Sequence, residues 1–310
     1  MKELEKPVED GEYRRITPPF GYFGSKNKIA LKLCEELPPH NCWVEAFCGS
    51  AAVTLAKPPA QIEVINDVNG EIVNLFRQLR ANHKALMELV RLTPYSEEEL
   101  IEARLSDCTE DSLEKARLFL VKSMMAINGV FGKSGGGFSY SDSYARNGHE
   151  ARVNRWNNLP GRLEKVVERL KNVRIEKKDA IALMKRFVNR PATLIYLDPP
   201  YFVERTNGYD DEANNLEFHI RLLEMAINSS CMIFISGYQN ELYSSMLTVD
   251  RGWTMKTIEA STKGTDGTKH IRTEVIWMNR QFANARDSGV MPIELDRKEQ
   301  TNKKVNPERK

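Results

Sequence analysis

No run of this 310-residue sequence approaches the roughly 20 consecutive apolar residues that a membrane span needs. Its acidic start, Met1 to Asp10, lacks the basic-then-apolar order of a secretory leader. A cytoplasmic protein with no membrane partner is the expectation. Cysteine is scarce: Cys34, Cys42, Cys48, Cys108 and Cys231 are odd in number and widely spaced, which argues against a disulfide framework and for reduced thiols. No two of them have metal-ligand spacing, and the five histidines form no H-E-x-x-H or clustered set, so no metal centre is expected. Net charge is small as well, +2 from 45 Lys and Arg against 43 Asp and Glu, which by itself announces no polyanion.

What is present is a hydrophobic fraction of 41%, enough at this length for one large domain or a domain carrying an insertion. The charge is unevenly placed. From Lys115 to Arg190 there are seventeen Lys or Arg against six Asp or Glu, a local excess that suits nucleic acid but also suits the solvated faces of helices.

Runs rich in β-branched and aromatic residues at Cys42–Phe47, Ile62–Asn66, Val173–Glu176, Thr193–Asp198, Cys231–Ser236, Thr254–Glu259 and Thr273–Asn279 predict seven strands. Helical patterns at Lys26–Glu36, Gly70–Arg80, Ala180–Val188 and Leu216–Asn228 alternate with most of them, which implies a largely parallel, doubly covered α/β sheet. The last two strands are joined by Thr262–His270, which has no helical period, and are expected to form an antiparallel edge hairpin. Between about Gly70 and Lys171 the alternation stops, and helices at Lys84–Leu92, Glu97–Leu105, Ser112–Asn128 and Trp156–Leu170 surround a Gly-rich loop, Gly129–Ala151. This predicts an inserted helical domain, residues 70–171, in a domain made of residues 14–69 and 172–282. From Ala283 to the end the chain is polar and aperiodic, the pattern of a disordered tail.

The run Thr193-Leu-Ile-Tyr-Leu-Asp198-Pro199-Pro200-Tyr201 is a buried strand entering a stiff polar tip, where open α/β sheets carry their chemistry. The prolines remove two donors and hold the chain extended. A carboxylate, a carbonyl and a ring fixed there suit a planar base with an amino group: Asp198 and the Pro199 carbonyl accept its N–H hydrogens and Tyr201 stacks on it. An N-capping aspartate at a proline turn would have the same residues. Two further features accompany it. Trp43-Val-Glu-Ala-Phe47-Cys-Gly49-Ser-Ala51 is a strand followed by a small-residue turn, and Glu63-Val-Ile-Asn66-Asp67 ends the next strand on an acid that could grip a ribose diol or serve as an Asx turn.

In this order the motifs resemble the Dam-like DNA adenine-N6 methyltransferase family, whose members place the target-recognition domain between the cofactor motifs and Asp-Pro-Pro-Tyr. The resemblance covers roughly Gly21 to Arg280. It implies a Rossmann-like methyltransferase fold, S-adenosyl-L-methionine as cofactor and an adenine flipped out of double-stranded DNA as target. By position it implies that Tyr22 and Lys26 meet the methionine part of the cofactor, that Phe47 and Gly49 form the glycine turn, with Ala51 in place of the usual second glycine, and that Asp67 holds the ribose. Asp179 falls near the cofactor's adenine, where it could equally cap its helix. Asp198, Pro199, Pro200 and Tyr201 match the catalytic motif without departure, with Asp198 also near the cofactor and Tyr209 as a downstream aromatic. Phe234-Ile-Ser236-Gly-Tyr238 and Thr273-Glu-Val-Ile-Trp277-Met-Asn279 resemble the two later motifs.

In the insertion, Asn128, Lys133 and Phe138 resemble the start of the family's DNA-inserting loop. Phe131, Phe138 or Tyr140 could fill the gap left by a flipped base, and Lys122, Lys133, Arg152 and Arg155 could hold phosphates. A partner restriction nuclease has no signature in the sequence. The same carboxylate and ring would serve N4 of cytosine. Methylation of RNA or of a protein glutamine commonly has Asn in place of this Asp, and a non-catalytic DNA-binding module would have no use for an intact catalytic motif.

Overall fold

A computed structural model describes residues 14–21, 24–106, 109–127, 136–146, 148–200, 216–263 and 269–292, excluding the side chains of 260–263 and 269–272. The strands are β1 (Cys42–Glu45), β2 (Ile62–Asn66), β3 (Ala145–Arg146), β4 (His149–Glu150), β5 (Val173–Glu176), β6 (Thr193–Leu197), β7 (Met232–Gly237), β8 (Thr254–Lys263) and β9 (Lys269–Met278). Seven of them form one mixed sheet in the order β5-β2-β1-β6-β7-β9-β8, and β3 pairs with β4 as a separate ribbon. β2, β1, β6 and β7 run parallel, while β9 is antiparallel to both β7 and β8. The α/β class, the mixed seven-stranded sheet and its antiparallel edge hairpin are as the sequence pattern implies. The hairpin strands run further than expected, to Lys263 and from Lys269, because an antiparallel ladder can continue on backbone hydrogen bonds after the apolar alternation has ended.

By compactness the chain divides into two units, one of residues 1–35, 48–59 and 67–177, the other of residues 36–47, 60–66 and 178–310. In the second unit β1, β6 and β7 are buried along their whole lengths, as expected of parallel strands covered on both faces. Val44, Ile195, Leu197, Ile233 and Ile235 pack with Leu183, Met184, Leu222 and Leu223 of the flanking helices. Helix Arg280–Ser288 continues six residues into the stretch read as a disordered tail. Local chemistry explains that correction. Asn279 caps the helix at the Phe282 N–H, Phe282 and Ala285 are buried, and Gly289 ends it in the left-handed region; residues 293–310 lie outside the described residues.

The first unit holds the helices Gly70–Ala81, His83–Leu92, Glu97–Leu105, Ser112–Met125, Ala151–Asn157 and Leu159–Leu170. Asn69, Ser96 and Asp111 cap three of them with side-chain acceptors, which fixes where they start. The single helix expected over Trp156–Leu170 is two, because Pro160 at the start of the second lacks a backbone donor and Asn158 forms the joint. The helix expected to reach Asn128 stops at Met125, where Ala126 turns extended and bridges to Phe138. The segment after β1 joins this unit through Arg169, which donates to the Thr54 carbonyl at 2.9 Å, and Ile16 N–H, which donates to the Leu55 carbonyl at 2.9 Å. Among the described residues Cys34, Cys42, Cys48 and Cys231 are in no disulfide bond, no helix is long and apolar enough to cross a membrane, and no His, Cys, Asp and Glu group is arranged to hold a metal ion.

Candidate active site

In the first unit the backbone of the turn after β1 enters the left-handed region twice. Gly49 has φ +46° and Ala51 φ +55°, the latter the one positive φ outside glycine among the described residues. An L side chain in this region costs roughly 1–2 kcal/mol. Ala51, standing where the family pattern has glycine, therefore takes the glycine conformation.

What holds the turn is Asp67. Its Oδ2 accepts the Gly49 N–H at 2.8 Å, and its Oδ1 accepts the Asn69 N–H at 2.9 Å. The side chain is 9% exposed; burial pushes its pKa up, against N–H groups of Asn69, Gly49 and Val68 that stabilise the anion. Lys26, also buried, sits in a 3-10 turn over Lys26–Lys28, followed by a helix over Ala30–Cys34, in place of one continuous helix to Glu36. Its Nζ donates to the Gly24 carbonyl at 3.2 Å. Ser25 Oγ meets Ser50 Oγ at 2.9 Å, so the amino-terminal motif and the glycine turn are tied side chain to side chain. Tyr22 lies outside the described residues.

In the second unit Phe47 packs edge-on against Phe218, with ring centroids 6.2 Å apart. Asn66, passed over as a site residue, is a joint between strand ends: its Nδ2 donates to the Ala46 and Lys178 carbonyls at 3.0 Å each, and its Oδ1 accepts the Lys178 N–H at 2.9 Å. Immediately after it, Asp179 caps helix Ala180–Met184 through Oδ1 and the Ala182 N–H at 2.9 Å. The capping role weighed from sequence is therefore present.

Asp198 lies half-buried one residue past the end of β6, with Pro199 buried and Pro200 exposed. One step beyond the Leu197–Ile235 pair of the parallel register, Ser236 Oγ donates to Asp198 Oδ1 at 3.2 Å. Behind it, Tyr196 Oη and Ser236 Oγ are 2.7 Å apart. The direction of this chain follows from chemistry: an ionised carboxylate only accepts, so Ser236 donates to it and in turn accepts from Tyr196. Tyr196 is fully buried and its pKa is held well above the ordinary phenol value, first by burial and then by Asp198, so the phenol keeps its proton. Tyr243 is likewise pushed up by burial and then by Asp198, and its Oη is 2.9 Å from Nδ1 of the buried His219. The visible signals for this network were a serine in the apolar run Met232–Gly237 and a tyrosine two residues before Asp198, on the same face of the strand. Tyr201 and Tyr209 lie outside the described residues.

Of the DNA-side expectations, Asn128, Phe131 and Lys133 lie outside the described residues. Lys122 pairs with Glu71 at 2.9 Å. Phe138 packs on Tyr95 with centroids 5.1 Å apart and on Tyr140 at 6.4 Å. Tyr140, Arg152 and Arg155 line one cavity of about 380 Å³.

A doubly wound sheet with a left-handed turn after its first strand, an acid after its second and Asp-Pro-Pro after a central strand defines an α/β enzyme of the nucleotide-cofactor type. Residues 22–250 match the family described as D12 class N6 adenine-specific DNA methyltransferase, and the chain belongs to that family. It is an adenine-specific DNA methyltransferase. Among solved structures, precorrin 8W decarboxylase from Methanobacterium thermoautotrophicum is similar at 10% identity and TM-score 0.34, over 83% of this chain and 90% of that one. An rRNA methylase from Streptococcus thermophilus is similar at 9% identity and TM-score 0.30, over 81% of this chain and 94% of that one.

Proposed function

We propose that this protein transfers the methyl group of S-adenosyl-L-methionine to N6 of an adenine turned out of double-stranded DNA, with Asp198 as the group that meets the target amine. The observation that carries this reading is a carboxylate at the tip of a central parallel strand whose Oδ1 is oriented by Ser236. Asp198 and the Pro199 carbonyl accept the two amine hydrogens, and Tyr201 stacks on the ring. Asp198 need not be a strong base, since the proton leaves as positive charge appears on nitrogen; its contribution is orientation and electrostatic stabilisation. Alignment of this kind can supply as much as about 7–11 kcal/mol of a barrier.

The residues present fit the cofactor. A buried carboxylate that orders a left-handed turn suits a ribose diol, since carboxylate oxygens accept from hydroxyls and the turn lets a ligand approach the main chain. Asp67 would hold the ribose, Gly49 and Phe47 the turn, Tyr22 and Lys26 the methionine part, and Asp179 would lie near the adenine. The cofactor supplies a methyl group on a sulfonium sulfur. Residues 70–171 would form the target-recognition domain, with Asn128, Phe131, Lys133, Phe138, Tyr140, Arg152 and Arg155 meeting DNA, and Lys122 only after release from Glu71.

Single-molecule sequencing of DNA from cells expressing the protein tests the reading. Methylated adenine in one sequence context is expected, and methylation confined to N4 of cytosine, or none at all, would overturn it.

A further inference from the structure

Three guanidinium groups of the first unit gather, and among the described residues no carboxylate is paired to any of them. Arg152 and Arg155 line a cavity of about 380 Å³ together with Tyr140, Ser141, Tyr144 and Ala151. Partial desolvation, and then the charge of Arg152, lower the pKa of Arg155. Burial, and then Arg155, push Arg162 down to about 10. Nε and Nη2 of Arg162 are buried with no hydrogen-bond partner, and among the described residues none of the three side chains makes an ion pair or hydrogen bond. Glu150, the nearby acid of the same segment, is engaged with main chain, its oxygens accepting the Arg152 and Val153 N–H groups at 3.2 and 3.1 Å.

Arg152 and Arg155 are exposed and Arg162 half-buried; gathering like charges is unfavourable in itself, and the orphaned buried donors of Arg162 are rare enough to call for a missing partner. The partner that answers both is an anion. A planar fork of donors matches the tetrahedral oxygens of phosphate better than any point charge does. The same cavity also offers ring faces, since Tyr140 is 65% and Tyr144 63% exposed, and a sugar or base beside a phosphate stacks on such rings.

We propose that this cavity is a phosphodiester clamp, seating one backbone phosphate of the DNA between Arg152 and Arg155, with the half-buried Arg162 as a further charge beside Arg155. The identity of the polymer rests on the methyltransferase reading; the phosphate chemistry does not. Arg162 is the new member, and its role is to strengthen the field at the clamp.

The test uses the full chain and two variants, Arg162→Met, which keeps an unbranched stem and removes the charge, and Arg155→Gln. Three measurements are made: the melting temperature at low salt, its change on adding inorganic phosphate, and the salt slope of duplex binding. Relief of the unpartnered buried donors should raise the melting temperature of Arg162→Met, and phosphate should protect the wild type more than either variant. The slope should fall by about one for a lost phosphate contact, while affinity for S-adenosylmethionine is retained. Variants that melt lower, with an unchanged slope, would show that the arginines merely hold the fold and would overturn the clamp. Phosphate protection with an unchanged slope would overturn the DNA assignment in favour of a free phosphate ligand. Adenine methylation by the wild type is scored separately, so failure of the methyltransferase reading is distinguishable from failure of the clamp.

Discussion

The Ser236 hydroxyl donates to Asp198 Oδ1 at 3.2 Å, with the Tyr196 hydroxyl 2.7 Å behind it. Two residues from adjacent parallel strands thus orient one oxygen of the carboxylate proposed to meet the amine. A hydrogen bond to a charged group is worth about 1.5–3 kcal/mol. Ser236→Ala is expected to slow single-turnover methylation at saturating cofactor by at least about tenfold. Tyr196→Phe, which leaves Ser236 able to donate, should cost less. An equal or larger loss in Tyr196→Phe would show that the phenol hydroxyl, and not the Ser236 donor, is what orients Asp198.

Asp67 has a structural duty beside the cofactor role proposed for it. It accepts from Gly49 and Asn69, so Asp67→Ala should lower the melting temperature as well as weaken S-adenosylmethionine binding by about 1.5–3 kcal/mol, the range for hydrogen bonds to a charged group. Calorimetry at wild-type affinity would remove it from the cofactor site.

The pH dependence follows from the raised pKa of Asp67, whose first cause is burial. A carboxyl group that binds its proton more tightly in the folded state than in the unfolded one favours folding most below the unfolded pKa. That contribution is lost as pH rises through the folded value. In the absence of cofactor, the wild type should therefore lose stability relative to Asp67→Asn as pH rises from the acid side of the carboxylate range toward neutrality. A gap independent of pH would mean that burial does not perturb this group.

The glycine loop offers a sharp contrast between neighbours. A Cβ on Gly136 would lie 2.1 Å from the Ile127 carbonyl oxygen, backbone that cannot swing aside, whereas on Gly137 its nearest contact is Ile127 Cδ1 at 3.9 Å. Gly136→Ala should destabilise by at least about 1–3 kcal/mol, the ordinary cost of overpacking, and Gly137→Ala should stay within about 0.5 kcal/mol of wild type. Denaturant melts of the two variants decide it, and equal stabilities would show that the Ala126–Phe138 bridge is not rigid.

The strands were legible because each is a short apolar run between turn residues, and β2 and β5 begin and end where the pattern places them. Helix ends were less so. Met125 and Asn158 are stops set by a long-range bridge and by a proline joint, and neither interrupts the apolar period strongly. Charge counting could not see pairing either. Arg117, counted in the basic excess, is held by Glu114 and Glu99 at 2.7 Å each, and Lys122 by Glu71; Arg155 and Arg162, which look no different in sequence, have no ion-pair partner among the described residues. Asp198, Asp67 and the glycine turn stood out because local order alone marks strand-end chemistry. Ser236, Tyr196 and Asn66 did not, since their partners are separated in sequence by 38, 40 and as many as 112 residues.

Asp198→Ala separates chemistry from folding. Asp198 is half-buried at a strand tip, so its loss leaves the core residues around β6 in place. A capping aspartate in the same position would behave in the opposite way: its loss would cost about 1 kcal/mol of stability and no chemistry. Because Asp198 also falls near the cofactor by resemblance, some cofactor affinity can go with it, and single-turnover rates at saturating S-adenosylmethionine are the proper readout. There the rate should fall by at least about 10²-fold, as on losing a preorganised electrostatic group. In Asp198→Ala the Ser236 hydroxyl loses its acceptor, so adding Ser236→Ala should change the residual rate little, the non-additivity of two groups acting through one oxygen. Near-normal methylation at saturation, with only an earlier melt, would make Asp198 a structural residue and move the chemistry elsewhere on the chain.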